Sequence, residues 1–274
     1  MNRTALFLAM TTMASAICVS SCKTDKSPNG QQAAALYSPA DKPKYAAAKY
    51  ELPATGKGAS GQLLERRGYT TSYNATTRNP NWVAWHLTRG HTNGSCQRTG
   101  ILFTEDLSVK EPRATNNDYY NSRYDRGHMC PAGDNKWDAT AMNESFLFTN
   151  ICPQNHGLNK YEWNDVEQLC RSWARKYDAV DIVCGPVYTD TKTPKTIGRN
   201  RVRVPDAFFK VVLRRGQQPC AIGFLFSNEG RKQPLREAVR TVDEIEKLTG
   251  YDFFHLLDDR TEQCIEAHAS LSEW

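Results

Sequence analysis

Two apolar runs, RVRVPDAFFKVVLRR (201–215) and CAIGFLFSN (220–228), stand only a few residues apart around Gly216. That spacing suits a hairpin and fixes much of what the chain can fold into. AVDIVCGPVY (179–188) adds a strand that ends at a Gly-Pro turn. NPNWVAWHLT (79–88) adds another, in which Trp82, Ala84 and His86 alternate with Val83, Trp85 and Leu87 behind an Asn-Pro-Asn turn signal. ILFTEDL (101–107) and the apolar part of SFLFTNICPQ (145–154) read as shorter extended pieces. Between them, LNKYEWNDVEQLCRSWARKY (158–177) carries Trp163, Val166, Leu169, Cys170 and Trp173 on one helical stripe. QPLREAVRTVDEIEKLTG (233–250) is a second helical region that stops at Gly250. Strands beside strands with interleaved helices predict an α+β fold with a largely antiparallel sheet.

The amino terminus has a different character. MNR followed by ALFLAMTTMASAICVSSC reads as a secretory signal over residues 1–21, too short in its apolar part to span a bilayer. Val19-Ser20-Ser21-Cys22 resembles a lipobox, which would place a lipid anchor on Cys22 and hold the chain at the cell envelope, facing the periplasm or the surface. Plain secretion is the competing reading. Residues 22–61, rich in Pro, Gly, Ser, Lys and Ala, read as a flexible tether, although Tyr37, Tyr45 and Tyr50 would also suit an arm packed on the domain. Residues 62–274 then form one domain with a core.

The formal net charge of +5 permits an anionic partner and does not demand one. Beyond Cys22, seven cysteines remain, an odd number without a CxxC or a zinc-site spacing. In an exported chain they suggest disulfides with at least one thiol left over.

The stretch YDRGHMCPAGD (124–134) has neither strand alternation nor a helical stripe. His128 is a neutral base near its ordinary pKa of about 6.5, and Arg126 offers a planar fork for phosphate. Gly127 would allow close backbone approach, as to a ligand. Further on, Asn159, Trp163, Glu167 and Arg171 recur every fourth residue. An amide oxygen, a carboxylate and a guanidinium along one ridge would suit a hard metal bound to phosphate. The same spacing equally describes a helix cap at Asn159 and a surface ion pair between Glu167 and Arg171.

Asp125-Arg126-Gly127-His128 with Pro131-Ala132 resembles the DRGH signature of the DNA/RNA non-specific endonucleases, the ββα-metal or His-Me finger nucleases that include endonuclease G. Four further blocks resemble the family in order: Asn81 to Trp85, then Thr149 to Gln154 with Asn159, Glu167 and Arg171, then Val204 to Val212, then Thr241 to Phe254. Together they cover about 70 to 260.

The resemblance implies a ββα-metal fold and hydrolysis of DNA and/or RNA to 5′-phosphate and 3′-hydroxyl ends. In it His128 is the general base, Asn159 the direct ligand of Mg²⁺ (Mn²⁺ as the alternative), and Glu167 holds metal-bound water. Arg126 and Arg171 hold the phosphate, Asn150 supports the site, and Arg98 matches an upstream phosphate-binding arginine. Family members are often dimers, which makes a homodimer an expectation. An unperturbed His128 would make activity fall below about pH 6.

Cys130 and Cys152 fall in the two blocks that meet at such a site, so a Cys130–Cys152 disulfide is expected from the resemblance; two buried thiols are the alternative. Lys192, Lys195, Arg199, Arg201, Arg203 and Lys210 form a basic cluster for nucleic-acid contact, or else a solvated face. Two other functions stay open: a nucleic-acid-binding protein that does not cut, and a thiol protein built on the seven cysteines.

Overall fold

The computed structural model describes residues 49–55, 61–189 and 192–274. The leader 1–21, Cys22 and most of the tether 22–61 lie outside the described residues. Its described end is packed. Tyr50 is buried, and Ala54–Thr55 pairs antiparallel with Tyr251–Asp252. The domain therefore reaches back past Gln62, as the packed-arm reading of Tyr50 allows.

The fold is α+β. Seven antiparallel strands lie in the spatial order Val239–Arg240, Cys220–Ser227, Ala207–Arg214, Ala179–Val187, Asn79–Thr88, Thr70–Asn74 and Gln62–Glu65. The hairpin expected around Gly216 closes with Arg214 opposite Cys220.

Alternation places two sets of side chains on opposite faces. Val83, Trp85, Leu87, Ile182, Phe208, Val212, Ile222, Phe224 and Phe226 share one buried cluster. Trp82, Ala84, Val183, Phe209, Val211 and Leu213 share the other. The helix Glu162–Tyr177 covers the first face with Trp163, Val166, Cys170 and Trp173. The helix Val242–Thr249 covers the second with Val242 and Ile245, together with Phe253 and Phe254. Each such side chain contributes about 1.5–3 kcal/mol on burial, so the two helices are held mainly by the sheet faces they cover. Thr241 and Glu244 form a capping box at the start of the second helix, and Gly250 ends it at φ 74°.

Several local readings change. ILFTEDL contributes only an isolated bridge, Thr104 to Leu147. The helix expected over 158–177 is two: His156–Lys160 and Glu162–Tyr177, with Tyr161 at φ −112°, ψ −85° between them. Asn155, rather than Asn159, caps the first, accepting a hydrogen bond from Gly157 N at 2.9 Å.

Candidate active site

The strand Asp125–His128 pairs antiparallel with Ile151–Gln154, with Gly127 opposite Cys152 and His128 opposite Ile151. The second strand leads directly into the two helices that follow it. This two-stranded ribbon and helix form the ββα unit. Gly127 has a packing reason of its own: a Cβ there would lie 2.2–2.9 Å from the Gln154 side chain. The close approach is to the neighbouring strand rather than to a ligand.

One cleft is lined by Arg98, Arg126, His128, Asn159, Glu167 and Arg171, together with Lys136, Lys160 and Asn164. Residues more than 70 positions apart in sequence thus face one volume. The candidate nuclease residues converge there, except for the buried Asn150.

His128 sits between two aromatic rings, Phe103 at 5.2 Å and Phe146 at 5.0 Å between centroids. Its backbone carbonyl accepts a hydrogen bond from Trp163 Nε1 at 3.1 Å. The residue keeps some exposure, but its Nε2 is shielded and has no hydrogen-bond partner among the described residues. Burial, helped by the Arg98 charge, pushes its pKa down to about 3. The ring is therefore neutral at any pH near neutrality. The unperturbed imidazole expected from sequence is replaced by one that titrates far lower, because aromatic packing removes the solvent that would stabilise the cation.

Asn150 fixes the backbone beyond His128. Its Nδ2 donates to Cys130 O and Ser145 O, both at 2.8 Å, and its Oδ1 accepts from Cys130 N at 2.9 Å. It is fully buried and positions the strand without lining the cleft.

Asn159 Nδ2 donates to Asp125 Oδ2 at 2.9 Å, and His156 Nδ1 shares that same oxygen at 2.9 Å. Asp125 thus sets the amide orientation and leaves Asn159 Oδ1 as the acceptor available to a ligand. Its role had no sequence signal beyond membership of the DRGH stretch.

The surface pair Glu167–Arg171 does not form. Arg171 Nη1 instead donates to Asp134 Oδ1 at 2.8 Å, and the buried Asp134 is also bound by Trp85 Nε1 at 3.0 Å. No hydrogen bond or ion pair among the described residues engages the Glu167 carboxylate. Burial raises its pKa to about 7 against the pull of Lys210 and Arg171. Asn159 Oδ1 and the Glu167 carboxylate offer oxygen donors only, which fits a hard divalent cation of the Mg²⁺ kind and not a thiolate- or imidazole-seeking metal.

Three arginines give the cleft its positive character. Arg126 donates through Nε to Asn116 Oδ1 at 2.9 Å, with its guanidinium over Phe103 and Tyr119. Arg98 lies over Phe146, with 5.5 Å from Cζ to the ring centroid. Arg171 is held by Asp134.

Lys210 is misplaced in the basic cluster read from sequence. It is fully buried in the sheet, its Nζ 4.3 Å from the Trp163 ring centroid and without a hydrogen bond. It cannot reach a nucleic acid. Lys192, Lys195, Arg199 and Arg201 are exposed.

The Cys130–Cys152 disulfide is absent: both are free, buried thiols. In the ribbon register Cys152 faces Gly127, three residues before Cys130. Cys130 lies two residues past the end of that strand. Cys130 Sγ instead accepts from Asn135 Nδ2 at 3.3 Å. Burial raises the thiol pKa of both, as it does for Cys170 and Cys184, which reach about 12. They behave as small apolar side chains, which removes the footing of the thiol-protein reading.

Comparison with known proteins agrees with this geometry. A family model described as DNA/RNA non-specific endonuclease matches residues 48–260. Mitochondrial nuclease EXOG of Xenopus laevis is 37% identical over 225 residues, 77% of this chain and 62% of that protein. Nuclease C1 of Cunninghamella echinulata var. echinulata is 34% identical over 219 residues, 74% of this chain and 87% of that protein. Mitochondrial endonuclease G of Bos taurus is 34% identical over 219 residues, covering 75% and 72%. A chain of the solved EndoG/EndoGI complex superposes with a TM-score of 0.68 at 28% identity, covering 73% of this chain and 89% of that one. The chain spans about three fifths of the length of the EXOG relatives. With five sequence blocks gathered into one domain and the DRGH strand at its cleft, the chain belongs to the DNA/RNA non-specific endonuclease family.

Proposed function

We propose that this chain is a divalent-metal-dependent endonuclease that hydrolyses phosphodiester bonds of DNA and/or RNA without sequence preference. One observation carries the reading. A neutral imidazole and a carboxylate without an ion-pair partner among the described residues share a cleft with three arginines. A binding protein would have no use for both a desolvated base and an oxygen donor set.

His128 takes the proton from an attacking water, since it lines the cleft and its imidazole is neutral. Arg126 and Arg171 hold the phosphate and offset its charge as it grows in the transition state. Asn159 and Glu167 would hold the cation, Glu167 by way of its water. A bound Mg²⁺ or Mn²⁺ would supply charge stabilisation at the phosphate and the departing 3′-oxygen. Trp163 and Asn150 keep the His128 backbone in register. The leader and Cys22 give an exported, envelope-anchored or secreted enzyme, acting on nucleic acid outside the cytoplasm.

The test is incubation of supercoiled plasmid and, separately, total RNA with Mg²⁺ or EDTA, followed by direct ligation of the DNA fragments. Cleavage only with the cation, and fragments that ligate without prior phosphorylation, are expected. Cutting in EDTA, or 5′-hydroxyl ends, would contradict the mechanism.

The pH dependence follows from Glu167. Its carboxyl, raised to about 7, is protonated below that pH and must lose its proton to help hold a cation. Cation demand therefore rises as pH falls through 7, up to about tenfold per pH unit. His128, lowered to about 3, stays neutral over the same range. Rate profiles at low and saturating Mg²⁺ should show an acid limb near pH 7 that moves to lower pH as Mg²⁺ increases. A limb fixed near pH 6.5 at every Mg²⁺ concentration would return control to an unshifted imidazole.

A further inference from the structure

Away from the cleft, the helix Val242–Thr249 presents Asp243 and Glu246, and the helix Asp259–Glu266 ends at Glu266. Each of the three contributes a carboxylate oxygen, and these oxygens all lie within 4.8 Å of one another. Acidic clusters on surfaces are common and signify little alone. This one differs because its third member is interior. Glu266 is only 3% exposed, and its Oε1 is buried with no hydrogen-bond partner among the described residues. A buried carboxylate oxygen without a donor is costly and calls for a counter-charge or a proton.

The charges acting most on Glu266 are Glu246, Glu262, Asp243 and Asp252, all negative, and with burial they raise its pKa to about 9. Glu246 is raised to about 7 by burial, with Asp252, Asp243 and Glu262 adding to it. One Glu246 oxygen is taken by Phe253 N, which donates to Oε1 at 2.6 Å, leaving Oε2 for the cluster.

Chemistry selects the ligand. The donors are carboxylate oxygens only, with no thiol or imidazole among them, which points to a hard cation. Mg²⁺ gives up its waters reluctantly and is held through one or two carboxylates, whereas Ca²⁺ takes several carboxylates in a flexible shell. Three carboxylates therefore favour Ca²⁺, with water completing its shell.

We propose that Asp243, Glu246 and Glu266 form a structural Ca²⁺ site that clamps the Asp259–Glu266 helix to the Val242–Thr249 helix. None of the three lines the catalytic cleft. The clamp would also bear on the second face of the core. Val242 and Ile245 of the same helix are buried there, and Glu246 holds Phe253 next to the Tyr251–Asp252 strand that pairs with Ala54–Thr55. The site acts on stability rather than on cleavage.

The experiment is thermal unfolding of the full-length chain carrying Asn159→Ala, which weakens cation binding in the cleft, beside the same chain with Glu266→Gln added. Each is measured in EDTA, in millimolar CaCl₂, and in MgCl₂ at matched ionic strength. A saturable rise in Tm with Ca²⁺, larger than with Mg²⁺ and lost with Glu266→Gln, is expected. Equilibrium dialysis should show one Ca²⁺ fewer per chain in the variant. In EDTA the Glu266→Gln protein should melt close to its parent, since glutamine keeps the shape of a carboxyl that burial and its acidic neighbours hold protonated without a cation, and this shows that it folds. No Ca²⁺-specific shift, or an equal shift in the variant, would overturn the site and leave the cluster to shared protons. An equal, Glu266-dependent shift with Mg²⁺ would overturn the choice of Ca²⁺.

Discussion

Replacing His128 by alanine is expected to lower kcat for plasmid cleavage by about 10²- to 10⁴-fold, the range a positioned general base supplies. The argument rests on what the ring does and what it does not do. Its Nε2 has no hydrogen-bond partner among the described residues. Burial holds the ring neutral, with its pKa down at about 3. A histidine kept for structure would normally satisfy its buried nitrogen, because an unmet polar atom costs stability. The backbone of this residue is held independently by Trp163 Nε1. The variant should therefore keep the fold, with a modest loss in Tm from the space left between Phe103 and Phe146. His128→Asn, which fills more of that space, guards against misreading a packing defect as a catalytic one. Retention of activity within a few-fold by a folded His128→Ala protein would remove the base from the mechanism.

The second large effect is expected for Asn159→Ala. Losing an oxygen donor to the cation should remove several kcal/mol of charge stabilisation, roughly a thousandfold in rate at about 1.4 kcal/mol per decade. It should also raise the Mg²⁺ concentration needed for half-maximal activity. Asn159→Asp restores an oxygen but places a carboxylate beside Asp125 Oδ2, which Asn159 Nδ2 now satisfies at 2.9 Å. Partial recovery, at higher cation affinity but imperfect geometry, is expected. An alanine variant with unchanged Mg²⁺ demand would mean that Asn159 is only a partner of Asp125.

Much of this site is legible in the sequence because its residues come in short, ordered blocks. His128 and Arg126 share the DRGH stretch, and Asn159, Glu167 and Arg171 follow at fixed steps. The sheet was equally readable: NPNWVAWHLT alternates cleanly and forms the strand Asn79–Thr88. What could not be read are partners remote in sequence. Asp134 captures Arg171 and so frees Glu167, yet nothing in GDN announces it. Lys210 sits in a run that looks like a solvated strand face, and only the covering helix shows it to be interior. Asp243, Glu246 and Glu266 meet because two helices converge on the second face of the sheet. The break at Tyr161 escaped because the apolar stripe runs on without regard to it. The Cys130–Cys152 pairing failed because shared blocks do not imply shared register.

The most direct measurement compares wild-type, His128→Ala and Asn159→Ala proteins in two assays run side by side: single-turnover DNA cleavage at saturating Mg²⁺, and Mn²⁺ binding followed by electron paramagnetic resonance. The account predicts that His128→Ala binds the cation as wild type does but does not cut, while Asn159→Ala loses a bound cation and cutting together. A His128→Ala protein that cuts at the wild-type rate, or an Asn159→Ala protein that binds and cuts normally, would contradict it.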